Sequence, residues 1–369
     1  MSIPEYRILL IGWFGHNAIG DDIIAEVTMR LFLDEAEKKG VRLQFVPISA
    51  VKNFKSRILY SYFVKNDLII IGGGSILGFD TMGLYMTFWG FDKINLHKLS
   101  RNRGTPLVIF GSGFRKEVDN LPENHRLHMS KLFGRAILSE VRGPVSQHLF
   151  ISNEITKGIE VVGDPALSFT PVPINNELSG DFNVGMNVRF MKTGERQYIA
   201  DREIYSMFAQ LADHFVEEGA QIHFFSFTEN KHDSDTEAAR KVIKLMRYKD
   251  NPKLIPFTNK ALEMCSQIGK FDYLISQRLH PCILGWVQRI PNIGFEYQFM
   301  KTKDFMSSIA MDEFVMRTDE FSLDSYLEKY VKLVKNRQDI IERSQEAIAY
   351  LREKQKVFVR QCIEIMIDN

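Results

Sequence analysis

The stretch Asp272-Tyr273-Leu274-Ile275-Ser276-Gln277-Arg278-Leu279-His280-Pro281 decides how the chain is read. An apolar run of strand length stops at a polar turn that carries an arginine and a histidine, and the apolar-rich segment 282–288 follows the proline. Proline is favoured at the first helical position, where its missing N–H costs nothing. The pattern therefore predicts a buried strand, a turn, and a helix capped by His280. A cation, an imidazole and a positive helix end would then meet at the mouth of one strand, an arrangement that attracts anions. A capping histidine without chemistry is the plainer alternative for the same residues.

The same pattern repeats upstream. Segment 7–12 reads as a parallel strand, apolar on both faces. After the turn 13–20 a helix is expected from Asp21 or Asp22, with Ile23, Ile24, Val27, Leu31 and Phe32 at helical spacing and Gly40 as its stop. Further strands are predicted at 41–46, 67–71, 105–110, 136–141 and 159–162, with a helix from Pro144. Several end in glycine turns: Gly72-Gly73-Gly74-Ser75, Gly111-Ser112-Gly113 and Gly163-Asp164-Pro165. Segment 170–181 loses periodicity and gains proline, as a linker would. The alternation restarts with strands at 183–188 and 221–227, a helix at 198–217, helices near 233–248 and 259–269, a short strand near Leu254, and 290–295 as the last obvious strand.

Strands alternating with helices imply doubly wound parallel sheets. The predicted fold class is α/β: two Rossmann-like doubly wound domains, residues 1–170 and 182–320, with a helical tail, 321–369. The expected arrangement is GT-B-like, with the active site in the interdomain cleft, since ligands of such sheets bind at the carboxyl ends of the strands.

Composition narrows the function. A net charge of +1 gives no general attraction to nucleic acid or anionic membrane. The three cysteines form no disulfide framework or zinc pattern, which points to a reducing compartment. No signal peptide or membrane span is evident, so a soluble cytoplasmic protein is expected. No metal site, P-loop, H-E-x-x-H or G-x-S-x-G is present.

Several turns are candidate sites, each with a structural alternative. Gly12 to Asp22 either lets a ligand approach the backbone or forms a tight turn with an aspartate cap. Gly72, Gly73 and Gly74 either nest an anion or pack without side chains. Arg115 and Arg142 are further cations, and Arg142 is equally a solvated arginine. Arg189 follows a strand and either points into the cleft or lies at the surface. Lys301 and Lys303 are surface lysines unless the fold turns them inward. Cys265 and Cys282 read as buried helix residues.

In order and spacing these segments resemble the polysaccharide pyruvyl transferase family. Gly15 to Asp22 resembles its first turn. Gly72 to Ser75, Gly111 to Gly113, Arg142 to Ser146 and Asp164 to Ala166 resemble the next four motifs. Arg278-Leu279-His280 is the most specific match, and Tyr297 and Lys301 to Phe305 follow as in the family. The resemblance covers about residues 7–310. The chain departs from it at Ala18, where the family has asparagine and Asn17 is adjacent, at Asp22 in place of glutamate, and at Gly143 in place of aspartate.

The resemblance implies transfer of pyruvate from phosphoenolpyruvate onto two sugar hydroxyls of a polysaccharide or capsule precursor as a ketal, with phosphate released. It implies no cofactor beyond phosphoenolpyruvate as donor substrate. The acceptor would be a lipid-linked or nucleotide-linked glycan, reached at the inner face of the membrane in the lipid-linked case, and a homo-oligomer is compatible. Cations suit the donor's phosphate and carboxylate, and a histidine suits proton transfer near neutrality. The expected assignments are His280 as general acid or phosphate ligand, Asp21 as base or acceptor-orienting group, Arg278 and Lys301 on the donor's anionic groups, and Arg189 beside them. Asn17, Gly72, Gly73, Gly74 and Arg142 would complete substrate binding.

Two other functions fit the fold. A GT-B glycosyltransferase would grip a nucleotide sugar with late acids such as Glu296 and Asp304. A non-catalytic sugar-binding relative would have lost its chemistry through departures such as Ala18 and Gly143.

Overall fold

The computed structural model describes residues 3–15, 17–49, 65–74, 104–114, 123–156, 158–170, 182–189, 199–230, 233–297 and 300–368. Ser75, Arg115, most of segment 170–181 and the start of the helix expected from Tyr198 lie outside these residues. The chain packs as two compact units. One comprises Met1–His16, Asp21–Ser168 and Ala349–Asn369; the other comprises Asn17–Gly20 and Phe169–Ile348.

The first unit holds a parallel six-stranded sheet in the order β2-β1-β3-β4-β5-β6. Its strands are β1 (Glu5–Gly12), β2 (Arg42–Ser49), β3 (Leu68–Gly72), β4 (Leu107–Ser112), β5 (Leu138–Val141) and β6 (Glu160–Val161). Residues Ile8 to Ile11 and Leu68 to Ile71 are buried along their whole length. That is why they read as unbroken apolar runs and not as alternating ones. Helix α1 (Ile19–Lys38) buries Ile19, Ile23, Val27 and Phe32 at three-to-five-residue spacing. It begins at Ile19, before the expected Asp21 or Asp22, so the two acids occupy its first turn, where the helix dipole favours negative charge. Helices α2 (Glu123–Arg135) and α3 (Pro144–Ser152) follow. The last turns of the long C-terminal helix close this core: Phe358 stacks on Phe110 at 4.8 Å, and Val359, Cys362 and Ile363 pack beside it. Burying one such phenylalanine contributes about 1.5–3 kcal/mol.

The second unit holds another parallel six-stranded sheet, β11-β8-β7-β12-β13-β14. Its strands are β7 (Asn183–Asn187), β8 (Gln221–Phe224), β11 (Lys253–Leu254), β12 (Tyr273–Ser276), β13 (Asn292–Glu296) and β14 (Val315–Arg317). The three-residue β14, paired to β13, escapes the sequence reading because it is too short to show a period. So does the antiparallel hairpin β9 (Glu229–Asn230) and β10 (Asp233–Ser234), which fills the interval before the next helix. The helices here are α4 (Asp201–Glu217), α5 (Asp235–Leu245), α6 (Ala261–Ile268), α7 (Leu279–Val287), α8 (Lys301–Ser308), α9 (Leu323–Lys335) and the beginning of α10 (Arg337–Asp368). Tyr273, Phe215, Trp286, Phe295 and Tyr326 form the aromatic core, with the Tyr273 and Tyr326 hydroxyls 2.8 Å apart.

The two strand orders differ, and each has its own point where the connections reverse direction. In the second unit β7 is followed outward by β8 and β11 on one side and by β12, β13 and β14 on the other. The reversal lies between β7 and β12. In the first unit it lies between β1 and β3. Ligands of doubly wound sheets bind outside the carboxyl ends of the strands at such reversals.

Candidate functional site

In the second unit the strand-end residues at the reversal are Asn187-Val188-Arg189 after β7 and Gln277-Arg278 after β12. Past the end of the ladder, the fully buried Gln277 side chain takes over the pairing, and its Oε1 accepts the Arg189 N–H at 2.8 Å. Arg189 is thereby fixed in an extended position. Its Nη1 donates to the Tyr297 hydroxyl at 2.7 Å, and its Cζ lies 5.2 Å from the ring centroid. Lys301, at the first position of α8, approaches the same ring, with Nζ 5.6 Å from the centroid. Lys301 is thus turned inward and is not an ordinary surface lysine.

Arg278 is not an open phosphate clamp. Its Nε donates to both oxygens of Asp235 at 2.8 Å, and its Nη2 reaches Asp235 at 2.6 Å and Asp233 at 2.5 Å. Asp235 is fully buried and also accepts from Asn187 Nδ2 and the Phe227 N–H. Burial works against the arginine's charge, but Asp235 and Asp233 outweigh it and hold the pKa above the ordinary arginine value. Asp233 spans two cations, with Oδ1 on Arg278 and Oδ2 3.5 Å from Arg189 Nη2.

Helix α7 also starts earlier than expected. Arg278 is its N-cap residue, which makes His280 the second helical residue and Pro281 the third. Proline is tolerated there because the N–H groups of the first turn have no intrahelical acceptor. The His280 ring packs directly on Gly20: a Cβ on Gly20 would lie 2.0 Å from His280 Nδ1. Segment 17–20 reaches this position through a short strand-like pairing. Ala18 bridges Thr228, the Ile19 N–H donates to Phe227 O at 3.0 Å, and Asn17 exchanges bonds with Glu229, from Nδ2 to Glu229 O and from the Glu229 N–H to Asn17 O. Asn17 has φ 56°, a left-handed conformation that asparagine tolerates. Burial alone would raise the pKa of Glu229, but hydrogen bonds from Ser226, Ser234 and Thr236 outweigh it and hold the carboxyl below the usual range.

In the first unit the reversal is lined by backbone. Gly73 and Gly74 have φ of 63° and 70°. The Gly73 N–H donates to Phe110 O at 2.9 Å, and Gly74 O accepts from the Gly113 N–H at 2.9 Å. The Gly73 N–H is therefore engaged within the fold, and the expected anion nest is correspondingly reduced. Asp21 lies against this turn, with Oδ1 3.1 Å from where a Gly74 Cβ would stand. Asp22 closes the first turn by accepting the Gly15 N–H at 2.7 Å. Arg142 is 1% exposed with its guanidinium against Gly113, so it is a buried strand-end residue and not a solvated one. Asp164 is a structural turn residue, capping the Ala166 N–H.

The nucleotide-gripping roles considered for the late acids do not suit their positions. Glu296 is 2% exposed, and its Oε2 accepts the Thr302 and Lys303 N–H groups at the start of α8. Asp304 is 1% exposed. Cys265, Cys282 and Cys362 are free and buried. Among the described residues no group of three His, Cys, Asp or Glu is placed to hold a metal ion, and no helix is long and apolar enough to cross a membrane.

The sequence reading missed Asp233, Asp235, Gln277 and Gly20. The first two lie 45 and 43 residues before Arg278, on elements with no visible period. Gln277 alone stood in the decisive stretch, where a buried amide beside two strand ends is a readable signal.

Solved structures of the GT-B class resemble the chain over nearly its whole length. Staphylococcus aureus MnaA in its UDP co-structure matches with a TM-score of 0.57 at 10% identity, covering 93% of this chain and 91% of that one. UDP-GlcNAc 2-epimerase from Neisseria meningitidis, bound to UDP-GlcNAc, gives 0.55 at 11% identity over 98% and 100%. Anabaena HepE in complex with UDP and glucose gives 0.53 at 11% identity over 98% and 99%. At these identities the likeness is one of fold: two Rossmann-like units in a GT-B class chain. No curated protein matches the sequence. A family model described as polysaccharide pyruvyl transferase matches residues 18–298, from the bridge at Ala18 to just past Tyr297, and the chain accordingly belongs to that family of enzymes.

Proposed function

We propose that the enzyme moves pyruvate from phosphoenolpyruvate onto two hydroxyls of a glycan precursor as a cyclic ketal, releasing phosphate. The observation that carries this reading is the gathering of Arg189, Arg278 and Lys301 around Tyr297 at the carboxyl ends of β7, β12 and β13. A donor with both a phosphate and a carboxylate needs several cations whose spacing is set in advance. Here Gln277, Asp233 and Asp235 set that spacing. Two nitrogens of Arg278 are engaged by the aspartates, which leaves Nη1 to face the donor.

The chemistry balances without a co-reactant. The methylene carbon gains a proton, one hydroxyl oxygen bonds to the central carbon, the second displaces phosphate, and the remaining proton leaves on phosphate. His280, in the first turn of α7, is the residue for phosphate contact or proton transfer. Asp21, beside the glycine turn of the first unit, is the residue for orienting or deprotonating the acceptor. The burial of Arg142 and the main-chain bonds of Asn17 favour supporting roles for these two. The fold neighbours solved with UDP or UDP-GlcNAc make nucleotide-linked sugars the first acceptors to try, and a lipid-linked acceptor would bring the reaction to the inner face of the membrane.

The test is phosphate release from phosphoenolpyruvate in the presence of UDP-glucose, UDP-galactose and UDP-N-acetylglucosamine. Replacing His280 by alanine is expected to lower the rate about 10²–10⁴-fold, the range for one acid–base group. A folded His280→Ala enzyme with undiminished turnover removes His280 from the chemistry.

A further inference from the structure

We propose that Tyr297 is a catalytic residue: its phenol O–H is the proton donor to the methylene carbon of phosphoenolpyruvate. The inference rests on the pyruvyl-transfer reading and assigns a step within it. Arginine nitrogens only donate hydrogen bonds. The 2.7 Å contact from Arg189 Nη1 therefore makes the Tyr297 oxygen the acceptor, and the phenol's own hydrogen points elsewhere. Among the described residues no acceptor takes that hydrogen. Tyr297 is 5% exposed and stands directly after β13, beside the reversal where the cations gather.

The surroundings favour giving up the proton. The charged groups facing the ring are Arg189 from the end of β7, Lys301 from α8 and Arg278 from the cap of α7. Asp233 faces it through the two arginines it bridges, and Glu296, the preceding residue, is turned to the α8 N–H groups. Burial alone would raise the pKa of Tyr297, but Arg189, Lys301 and Arg278 outweigh it and place the phenol below its ordinary value. The phenolate left after the transfer is stabilised by the same Arg189 contact.

Each step is balanced. The Tyr297 O–H bond breaks as the methylene C–H bond forms, and the first sugar oxygen bonds to the central carbon. That hydroxyl's proton returns to the phenolate, directly or through His280. The second hydroxyl displaces phosphate and passes its proton to it. Tyr297 ends as it began.

The experiment follows phosphate release from phosphoenolpyruvate with the three UDP-sugars above, across pH, in three proteins. These are wild type, Tyr297→Phe, and a chain carrying 3-fluorotyrosine, a more acidic phenol, at position 297. Tyr297→Phe keeps the ring beneath Arg189 and Lys301. It is expected to turn over about 10²–10⁴-fold more slowly, while thermal shift with phosphoenolpyruvate shows the donor still bound. The wild-type rate is expected to fall at alkaline pH as the donor proton is lost, and fluorotyrosine should move that limb to lower pH. A purely supporting tyrosine would leave the limb in place. Wild-type turnover in Tyr297→Phe, or an alkaline limb unmoved by fluorotyrosine, overturns the assignment. The isosteric fluorotyrosine chain decides the matter if the phenylalanine variant does not fold. A wild-type enzyme that releases no phosphate with any of these sugars overturns the transfer reading and this step with it. Wild-type turnover with insensitive variants overturns Tyr297 alone.

Discussion

The two sheets of this chain reverse direction in chemically opposite ways. At the β1/β3 reversal the strand ends are glycines, with φ of 63° and 70° at Gly73 and Gly74, and their polar groups pair with backbone. At the β7/β12 reversal the strand ends are Arg189 and Arg278, aligned by Gln277, Asp233 and Asp235. One is defined by shape and the other by charge. Shape suits a neutral polyhydroxyl ligand, and fixed cations suit a small polyanion. A charged site needs internal countercharges to hold its geometry before a ligand arrives, and that requirement explains the buried aspartates.

The largest test of this contrast removes one countercharge. Asp235 is fully buried and receives Arg278 through both oxygens. Asp235→Ala leaves a mostly buried guanidinium with half of its support, at an expected cost of about 3–5 kcal/mol, the range for breaking one partner of a buried pair. Urea unfolding measures it. A loss below about 1 kcal/mol would mean that the cations are held by solvent and not by the cluster.

The contrast also explains which parts were legible in the sequence. Buried parallel strands are continuous apolar runs, so β1, β3, β4 and β12 stand out, and their ends place Arg189, Arg278 and the glycine turns. Nothing local reveals that hairpin β9–β10 carries the carboxylate that spans both arginines, because each of its strands is two residues long. The start of α1 was misplaced for a similar reason. Asp21 and Asp22 look like caps, but residues 17–19 are fixed by pairing with 227–229, more than two hundred residues away. His280 was read as a cap for its proline neighbour, whereas Arg278 takes that position and His280 enters the first turn. Partners distant in sequence leave no periodic trace.

The next effect belongs to the first unit, where one charge breaks the rule of shape. Glu140 on β5 sits opposite Glu160 on β6, and Lys354 pairs with Glu160. Burial, opposed by Lys354 and reinforced by Glu160, pushes the Glu140 carboxyl up to about 7 from an ordinary 4.5. The folded chain therefore holds this proton more tightly than the unfolded chain. The resulting stability is complete below pH 4.5 and is lost as pH rises through 7. At 1.36 kcal/mol per pKa unit the effect is on the order of 3 kcal/mol. Glu140→Gln should abolish this slope and raise the melting temperature at pH 8, with little change at pH 5. A variant whose melting temperature keeps the wild-type pH slope would assign that slope to other groups.

The smallest expected stability effects give the sharpest comparison, because two glycine substitutions of the same chemistry should fail differently. At Gly73 a Cβ would lie 1.9 Å from Ile24 Cγ2, on a backbone with φ of 63°. Gly73→Ala should cost about 1–3 kcal/mol through overpacking and backbone strain and leave phosphoenolpyruvate binding intact. At Gly20, in the first turn of α1, the backbone is helical and alanine is a good helix former. The obstacle there is the His280 ring, 2.0 Å from the new carbon. Gly20→Ala should therefore change stability by less than Gly73→Ala and displace the imidazole. A displacement of about 1 Å can cost about 10²-fold in rate. Thermal melts and phosphate release on the pair separate the two readings. A Gly20→Ala enzyme that melts early and turns over normally would make this glycine a packing residue like Gly73. One that melts normally and turns over slowly would tie the family's first turn to its histidine through a single missing methyl group.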